Sequence, residues 1–185
     1  MIAKCCSCPP DTPRLAFRCW APEDRALALS LWQDAAVMRY MGGPMTDAEV
    51  DARLATEIGN QTSLGLQYWP IFLRETGVFV GCCGLKPFHD EPGVMEMGIH
   101  IAQPFWGLRL GEEATRAVID YAFPHLPAKA LTAAHHPENL NSKALLLRLG
   151  FVYTHDEIWS RTGQWHPFYR LDPPVSREKL SGPLR

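Results

Sequence analysis

No apolar run in this 185-residue chain approaches the roughly 18 residues that a membrane span requires, so no membrane partner is expected. An excess of one charge is missing too. Lysine and arginine number 18 against 20 acidic residues, a net charge of −2, which leaves no electrostatic footprint for nucleic acid. The first residues, MIAKCCSCPPDTPR, lack the apolar h-region of a signal peptide. Six cysteines are present, but the cluster Cys5, Cys6 and Cys8 has no second spaced pair of the kind a metal site wants, so no metal is expected. The simplest setting is then the cytoplasm, with free thiols. Internal repeats and linker-like stretches are absent, and the length suits one full core rather than two. Residues 1–13 are expected to be a disordered Cys-rich tail, 14–172 one domain and 173–185 a polar C-terminal tail.

What is present has the balance of an ordinary globular protein: 46% hydrophobic and 21% charged residues, enough to bury a core. RLAFRCW (Arg14 to Trp20) alternates as a first strand. A helix follows over the segment Ala21 to Met41, with Pro22 early in it and Leu27, Leu31, Ala35 and Met38 on one apolar stripe. Thr46 and Glu49 have the form of a capping box and start a second helix. Three strands come next, Tyr68 to Glu75, Val78 to Phe88 and Val94 to Ala102. The last puts Met95, Met97, Ile99 and Ile101 on one face and Glu96, Gly98 and His100 on the other. A helix over Glu112 to Phe123, a strand over Lys129 to His136, a helix over Ser142 to Leu149 and two final strands complete the order β-α-α-β-β-β-α-β-α-β-β. That order describes an α+β or α/β domain with a mixed sheet covered by helices.

Two stretches carry chemistry. QPFWGLRLGEEA (Gln103 to Ala114) runs through Gly107 and Gly111 into a helix, whose first turn offers unpaired N–H groups and a positive dipole end to an anion. Arg109 stands between the glycines and would add a fixed charge suited to phosphate. Taken alone, the stretch is equally a turn that opens a helix. NLNSKALLLRLGF has Asn139, Asn141 and Ser142 before a short apolar helix that ends at Gly150, and capping accounts for most such residues.

Taken together, RLAFRCWAPED, VFVGCCGL, EMGIHIAQPFWGLRLGEEATRAVIDYAF and NLNSKALLLRLGF resemble the GNAT superfamily of N-acetyltransferases. Within it they resemble the branch of the RimJ/RimL ribosomal-protein N-terminal acetyltransferases. The resemblance covers about Arg14 to Asp172. It implies a mostly antiparallel mixed sheet of six to seven strands, splayed at a cofactor cleft and flanked by about four helices. It also implies acetyl-CoA as co-substrate, held between the strands Val94 to Ala102 and Lys129 to His136. The pyrophosphate would be gripped by Leu108, Arg109, Leu110, Gly111, Glu112 and Glu113, with Trp106 and Gly107 keeping the aromatic-glycine pair of the family loop. Arg109 replaces the first motif glycine.

The acceptor implied is a primary amine, on a protein N-terminus or a small molecule, attacking the thioester directly. Removing its extra proton needs a base or a water chain. Glu96 is the first candidate, with His100 second; a Glu96 paired with a neighbouring arginine or solvated on an open face is the structural alternative. Leu146 occupies the place of the family tyrosine, and Ser142 matches the serine that the RimJ/RimL-like branch uses toward the sulfur. Asn139 would position the pantetheine arm, and a backbone N–H near Ile101 or Ala102 would face the oxyanion. Cys82 and Cys83 are expected to be core or edge-strand thiols, not nucleophiles. Trp106 and the turn Tyr40 to Gly43 are candidates for the mouth, and Asp90, Glu91, Asp156 and Glu157 form an acidic cluster that would favour a cationic acceptor. A catalytically weak acyl-CoA-binding module is the alternative function, and the oligomeric state is left between monomer and homodimer.

Overall fold

The computed structural model describes residues 7–88 and 91–174. Its strands are β1 (Leu15–Phe17), β2 (Tyr68–Leu73), β3 (Phe79–Pro87), β4 (Val94–Ile101), β5 (Ala130–Ala134), β6 (Val152–Trp159) and β7 (Gln164–Leu171). The helices are α1 (Arg25–Trp32), α2 (Asp47–Leu64), α3 (Leu110–His125) and α4 (Leu140–Arg148). One seven-stranded sheet has the order β1-β2-β3-β4-β5-β7-β6, and β4–β5 is its one parallel pair. This is the mixed, mostly antiparallel sheet with four helices that the sequence implied.

Alternation along the strands divides the core in two, because successive side chains leave a strand on opposite faces. Trp69, Cys83, Met95 and Met97 enter a cluster with Val118 of α3 and Leu146 of α4. Their neighbours Tyr68 and Cys82 enter a second cluster with Leu31 and Trp32 of α1 and Val50 and Leu54 of α2. The sheet therefore has an α3–α4 face and an α1–α2 face. Among the described residues, no helix is long and apolar enough to cross a membrane.

Local chemistry sets the helix ends. The Thr46 hydroxyl accepts the Glu49 N–H at 3.3 Å while Glu49 accepts the Thr46 N–H at 2.8 Å, a reciprocal cap that starts α2. The first helix is shorter than its apolar stripe suggests. It stops at Trp32 because the Asp34 carboxylate accepts the N–H groups of Ala36 and Val37 at 2.8 and 3.0 Å, which turns the chain out of the helix. Met38 is nonetheless fully buried, so the stripe marked burial correctly and helix length wrongly.

The expectation of a disordered tail over residues 1–13 is corrected for its described part. Cys8 packs on the core, Pro9 is buried, and the Thr12 carbonyl accepts Arg74 Nη1 at 2.9 Å. Cys19 is joined in a disulfide, whereas Cys82 and Cys83 are free thiols, so the expectation of free thiols fails at Cys19. Cys5, Cys6, Asp90 and most of the C-terminal tail lie outside the described residues.

Candidate active site

Two parallel strands that part after a short pairing leave a slot edged by unpaired backbone. β4 and β5 pair only at Val94–Ala130, Met95–Leu131 and Glu96–Thr132, although β4 continues to Ile101. On its other edge β4 stays paired with β3 as far as Ile101 opposite Gly81, and the Ala102 N–H donates to the Val80 carbonyl at 2.8 Å. Successive residues of an antiparallel ladder turn their backbone groups to opposite sides. Ala102 and His100 therefore serve β3, and Ile99 and Ile101 turn theirs into the slot. The Ile101 carbonyl accepts Trp106 Nε1 there at 2.7 Å. Of the two oxyanion donors expected from sequence, Ile101 has its N–H on the slot side. Ala102 does not, because its N–H is spent on β3.

The slot leads to the first turn of α3. The chain reaches it through two left-handed residues, Gly107 at φ 77° and Arg109 at φ 58°. Arg109 thus adopts the conformation that favours the glycine it replaces. The Glu113 N–H closes the first helical bond, to the Arg109 carbonyl at 3.2 Å. Arg109, Leu110, Gly111 and Glu112 are left as the four N–H groups without a helical partner. Glu113 is therefore corrected: its backbone is committed, and its carboxylate ties the loop to the N-terminal segment through the Thr12 hydroxyl and Arg14 Nε at 2.6 Å. Arg14 Nη1 also holds the Leu108 carbonyl at 3.0 Å.

Glu112 turns to Arg116 at 3.0 Å and Arg148 at 3.2 Å. Hydrogen bonding from Arg116, then Arg148, holds its carboxyl below the usual range. Burial opposes the same effect at Glu113, but Thr12 and Arg14 outweigh it. Both acids beside the anion-facing turn are thus neutralised. Arg109 is exposed, and its guanidinium joins no hydrogen bond or ion pair among the described residues. At the start of α4, Asn139 Oδ1 accepts the Ser142 N–H at 3.1 Å, so Asn139 is a cap. Ser142 precedes the buried Leu146 and Leu149 by one and two turns and shares their face. Its hydroxyl bonds to nothing among the described residues.

A slot between splayed parallel strands, opening on a helix N-terminus, is the setting the resemblance implied, and comparison with known proteins decides the family. The acetyltransferase (GNAT) domain matches residues 14–152. The chain belongs to the GNAT acetyltransferase family. It is 34% identical over 143 residues to the uncharacterized N-acetyltransferase p20 of Bacillus licheniformis, covering 76% of this chain and 80% of that one. An acetyltransferase from Agrobacterium tumefaciens superposes with a TM-score of 0.76 at 24% identity, covering 90% and 95% of the two chains. So does an acetyl transferase from Salmonella typhimurium that modifies the N-terminal serine of ribosomal protein L7/L12, with a TM-score of 0.75 at 13% identity and coverage of 89% and 98%. At these identities the two structures speak for the fold alone.

In this GNAT acetyltransferase the α1–α2 face of β4 carries Glu96, Gly98 and His100. Glu96 lies beside Lys86 Nζ at 3.2 Å and is a quarter exposed. His100 is removed as a base. Its Nδ1 accepts Trp32 Nε1 at 3.0 Å, and burial, with help from Arg53 and Lys86, holds its pKa down to about 3. Burial pushes the thiols of Cys82 and Cys83 up, the latter to about 12, so neither is a nucleophile at neutral pH. Tyr40 lies against His136 at the end of β5, 5.0 Å between ring centres, which brings the Tyr40 to Gly43 turn to this end of the slot. Asp156 and Glu157 sit on the outer strand β6 and Glu91 in the β3–β4 turn. A groove of about 970 Å³ between α4 and the β6–β7 hairpin includes no residue of β4.

Sequence reasoning missed two residues on this face. The Tyr68 ring lies against Gly98, where an added Cβ would stand 2.3 Å from its hydroxyl. Arg53 of α2 stacks on both Trp32 and Tyr68, 5.2 and 5.0 Å from the ring centres. The available signal was the spacing Val50-Leu54-Glu57, which puts a carboxylate on the buried stripe of α2 and calls for a cation beside it.

Proposed function

We propose that this protein is an acetyl-CoA-dependent N-acetyltransferase that acetylates a primary amine by direct attack across the β4–β5 slot. The observation that carries this reading is the slot itself, with backbone donors along one edge and the unpaired first turn of α3 at its mouth. The residues fit the cofactor: four free N–H groups and the Arg109 guanidinium suit a pyrophosphate, and both neighbouring carboxylates are already paired. Acetyl-CoA supplies an activated acetyl thioester. On this reading Leu108 to Glu112 and Trp106-Gly107 hold the phosphate end. The N–H groups of Ile99 and Ile101 line the thioester, each such donor toward an oxyanion being worth about 2.7–4 kcal/mol.

Glu96 approaches from the α1–α2 face and Ser142 from the α3–α4 face, so base and thiolate donor act from opposite sides. The amine nitrogen bonds to the acetyl carbon as the carbon–sulfur bond breaks. Glu96 takes the proton lost by the amine, and the Ser142 O–H donates a hydrogen bond to the departing sulfur until it is protonated. Asn139 fixes the start of α4 and with it the Ser142 hydroxyl. The RimJ/RimL-like branch belongs to the same proposal and rests on Ser142 standing in for the tyrosine that Leu146 replaces.

The test is kinetic. Glu96→Gln should lower kcat/KM by ~10²–10⁴ and Ser142→Ala by about tenfold, with the Kd for CoA little changed in both. Turnover within about threefold of wild type in both variants removes these two roles.

A further inference from the structure

The α1–α2 face of the slot holds a cation, Arg53, whose donors are mostly unspent. Arg53 uses Nε on Glu57 Oε1 at 2.5 Å, and Glu57 Oε2 in turn accepts the Tyr68 N–H at 2.7 Å. Glu57 is buried and thus fixed from both sides. Stacking on Trp32 and Tyr68 fixes the plane of the guanidinium. Nη1 and Nη2 bond to nothing among the described residues, yet no buried polar side-chain atom is left without a partner, so both reach accessible space. An arginine kept only for an ion pair in an apolar layer would be expected to satisfy its remaining N–H groups as well. This one is held rigidly with its outer edge open.

The surroundings show where that edge lies. The positive charge of Arg53 acts on Tyr68, Cys82 and His100, one residue on each of β2, β3 and β4, all on the face where the acceptor enters. The Tyr68 hydroxyl, over Gly98, likewise makes no hydrogen bond among the described residues. Burial raises its pKa well above the ordinary value, so it remains a donor at any working pH. Lys86, also on this face, is paired with Glu96. This face therefore sets one carboxylate, Glu96, whose charge also acts on Tyr68, beside two donors, the Tyr68 hydroxyl and Arg53.

We propose that the acceptor carries a carboxylate beside its amine, as a free amino acid does, and that Arg53 Nη1 and Nη2, with the Tyr68 hydroxyl, bind that carboxylate while the amine lies toward Glu96. The inference rests on the acetyl-transfer reading above and narrows its acceptor. A planar guanidinium matches a carboxylate with two parallel N–H···O bonds, which a neutral amide or a bare alkylamine cannot reproduce. A site built to bind one charged group discriminates strongly against analogues that lack it.

The experiment compares matched acceptors on the wild-type enzyme: amino acids, their carboxamides and the corresponding decarboxylated amines, each with saturating acetyl-CoA. The carboxylate member of each set should have a kcat/KM at least tenfold above its partners, carried mainly by KM. Arg53→Gln should bring the ratio to within about threefold of one, and Arg53→Lys, which keeps the charge but not the two parallel bonds, should lower it less. Equal or faster turnover of the carboxamides and amines by the wild type overturns this inference and leaves acetyl transfer standing. Absence of turnover with every amine, while CoA still binds, overturns both. The wild-type comparison needs no variant, so it decides the matter even if Arg53 is indispensable for folding.

Discussion

Arg109 separates two physical effects that one substitution can measure together. It sits at φ 58° and ψ 17°, in the left-handed region that an L-residue enters at about 1–2 kcal/mol. Arg109→Gly removes that strain but adds about 0.5–1 kcal/mol of chain entropy to the unfolded state. The net effect is a stabilisation of about 0–1.5 kcal/mol, and for a chain of this size 1 kcal/mol moves Tm by roughly 2–4 °C. Arg109→Ala keeps the strain and, at an exposed position, should leave Tm nearly unchanged. Both variants lose the guanidinium. An exposed charge at a helix N-terminus near a phosphate is worth about 0.3–1 kcal/mol, so CoA binding should weaken roughly two- to fivefold in both, and the deficit should shrink at high salt. Thermal melts give the first quantity and calorimetric titration with CoA the second. The reasoning is refuted if Gly and Ala variants melt together below wild type, or if both bind CoA as tightly as wild type at low salt.

Two further outcomes follow from the same face of the sheet. His100 is neutral in the folded protein down to about pH 3, whereas an unfolded histidine takes up its proton near pH 6.5. Its contribution to stability is complete above pH 6.5 and drains away as the pH falls from there toward 3, at up to about 1.4 kcal/mol per pH unit. His135 and His166 are shifted down too, chiefly by burial, and act in the same direction. Urea unfolding at a series of pH values should show a shallower acid slope for His100→Gln, which keeps an acceptor for Trp32 Nε1; identical slopes contradict the assignment. Gly98→Ala would place a methyl group 2.3 Å from the Tyr68 hydroxyl. It should destabilise by about 1–3 kcal/mol and raise the acceptor KM while CoA affinity holds, and an unchanged KM would separate Tyr68 from the acceptor.

The features legible in the sequence were those written in local spacing. The Thr46–Glu49 cap, the alternation along Val94 to Ala102 and the glycine loop before α3 each depend on residues a few places apart. Asp34 ended α1 early because its carboxylate competes for backbone N–H groups, an effect that an apolar stripe does not record. The fate of Glu113 was hidden because its partner Arg14 is 99 residues away, whereas Glu112 has an i,i+4 partner in Arg116 and only its second partner, Arg148, lies 36 residues off. His100 shared a face with Glu96, but only the packing of α1 on the sheet showed that Trp32 had claimed its lone pair. Arg53 and Tyr68 come together from α2 and β2, and no motif joins them.

The central claim is that the β4–β5 slot holds acetyl-CoA and passes its acetyl group directly to an amine. The most direct measurement mixes purified protein, acetyl-CoA and the amine panel, following free CoA thiol and N-acetylated product together. The account predicts amine-dependent thiol release matched one for one by acetylated amine, with no acetyl group left on the protein when the amine is omitted. A covalent acetyl-protein formed in the absence of amine, or thiol release that no amine accelerates, would contradict it.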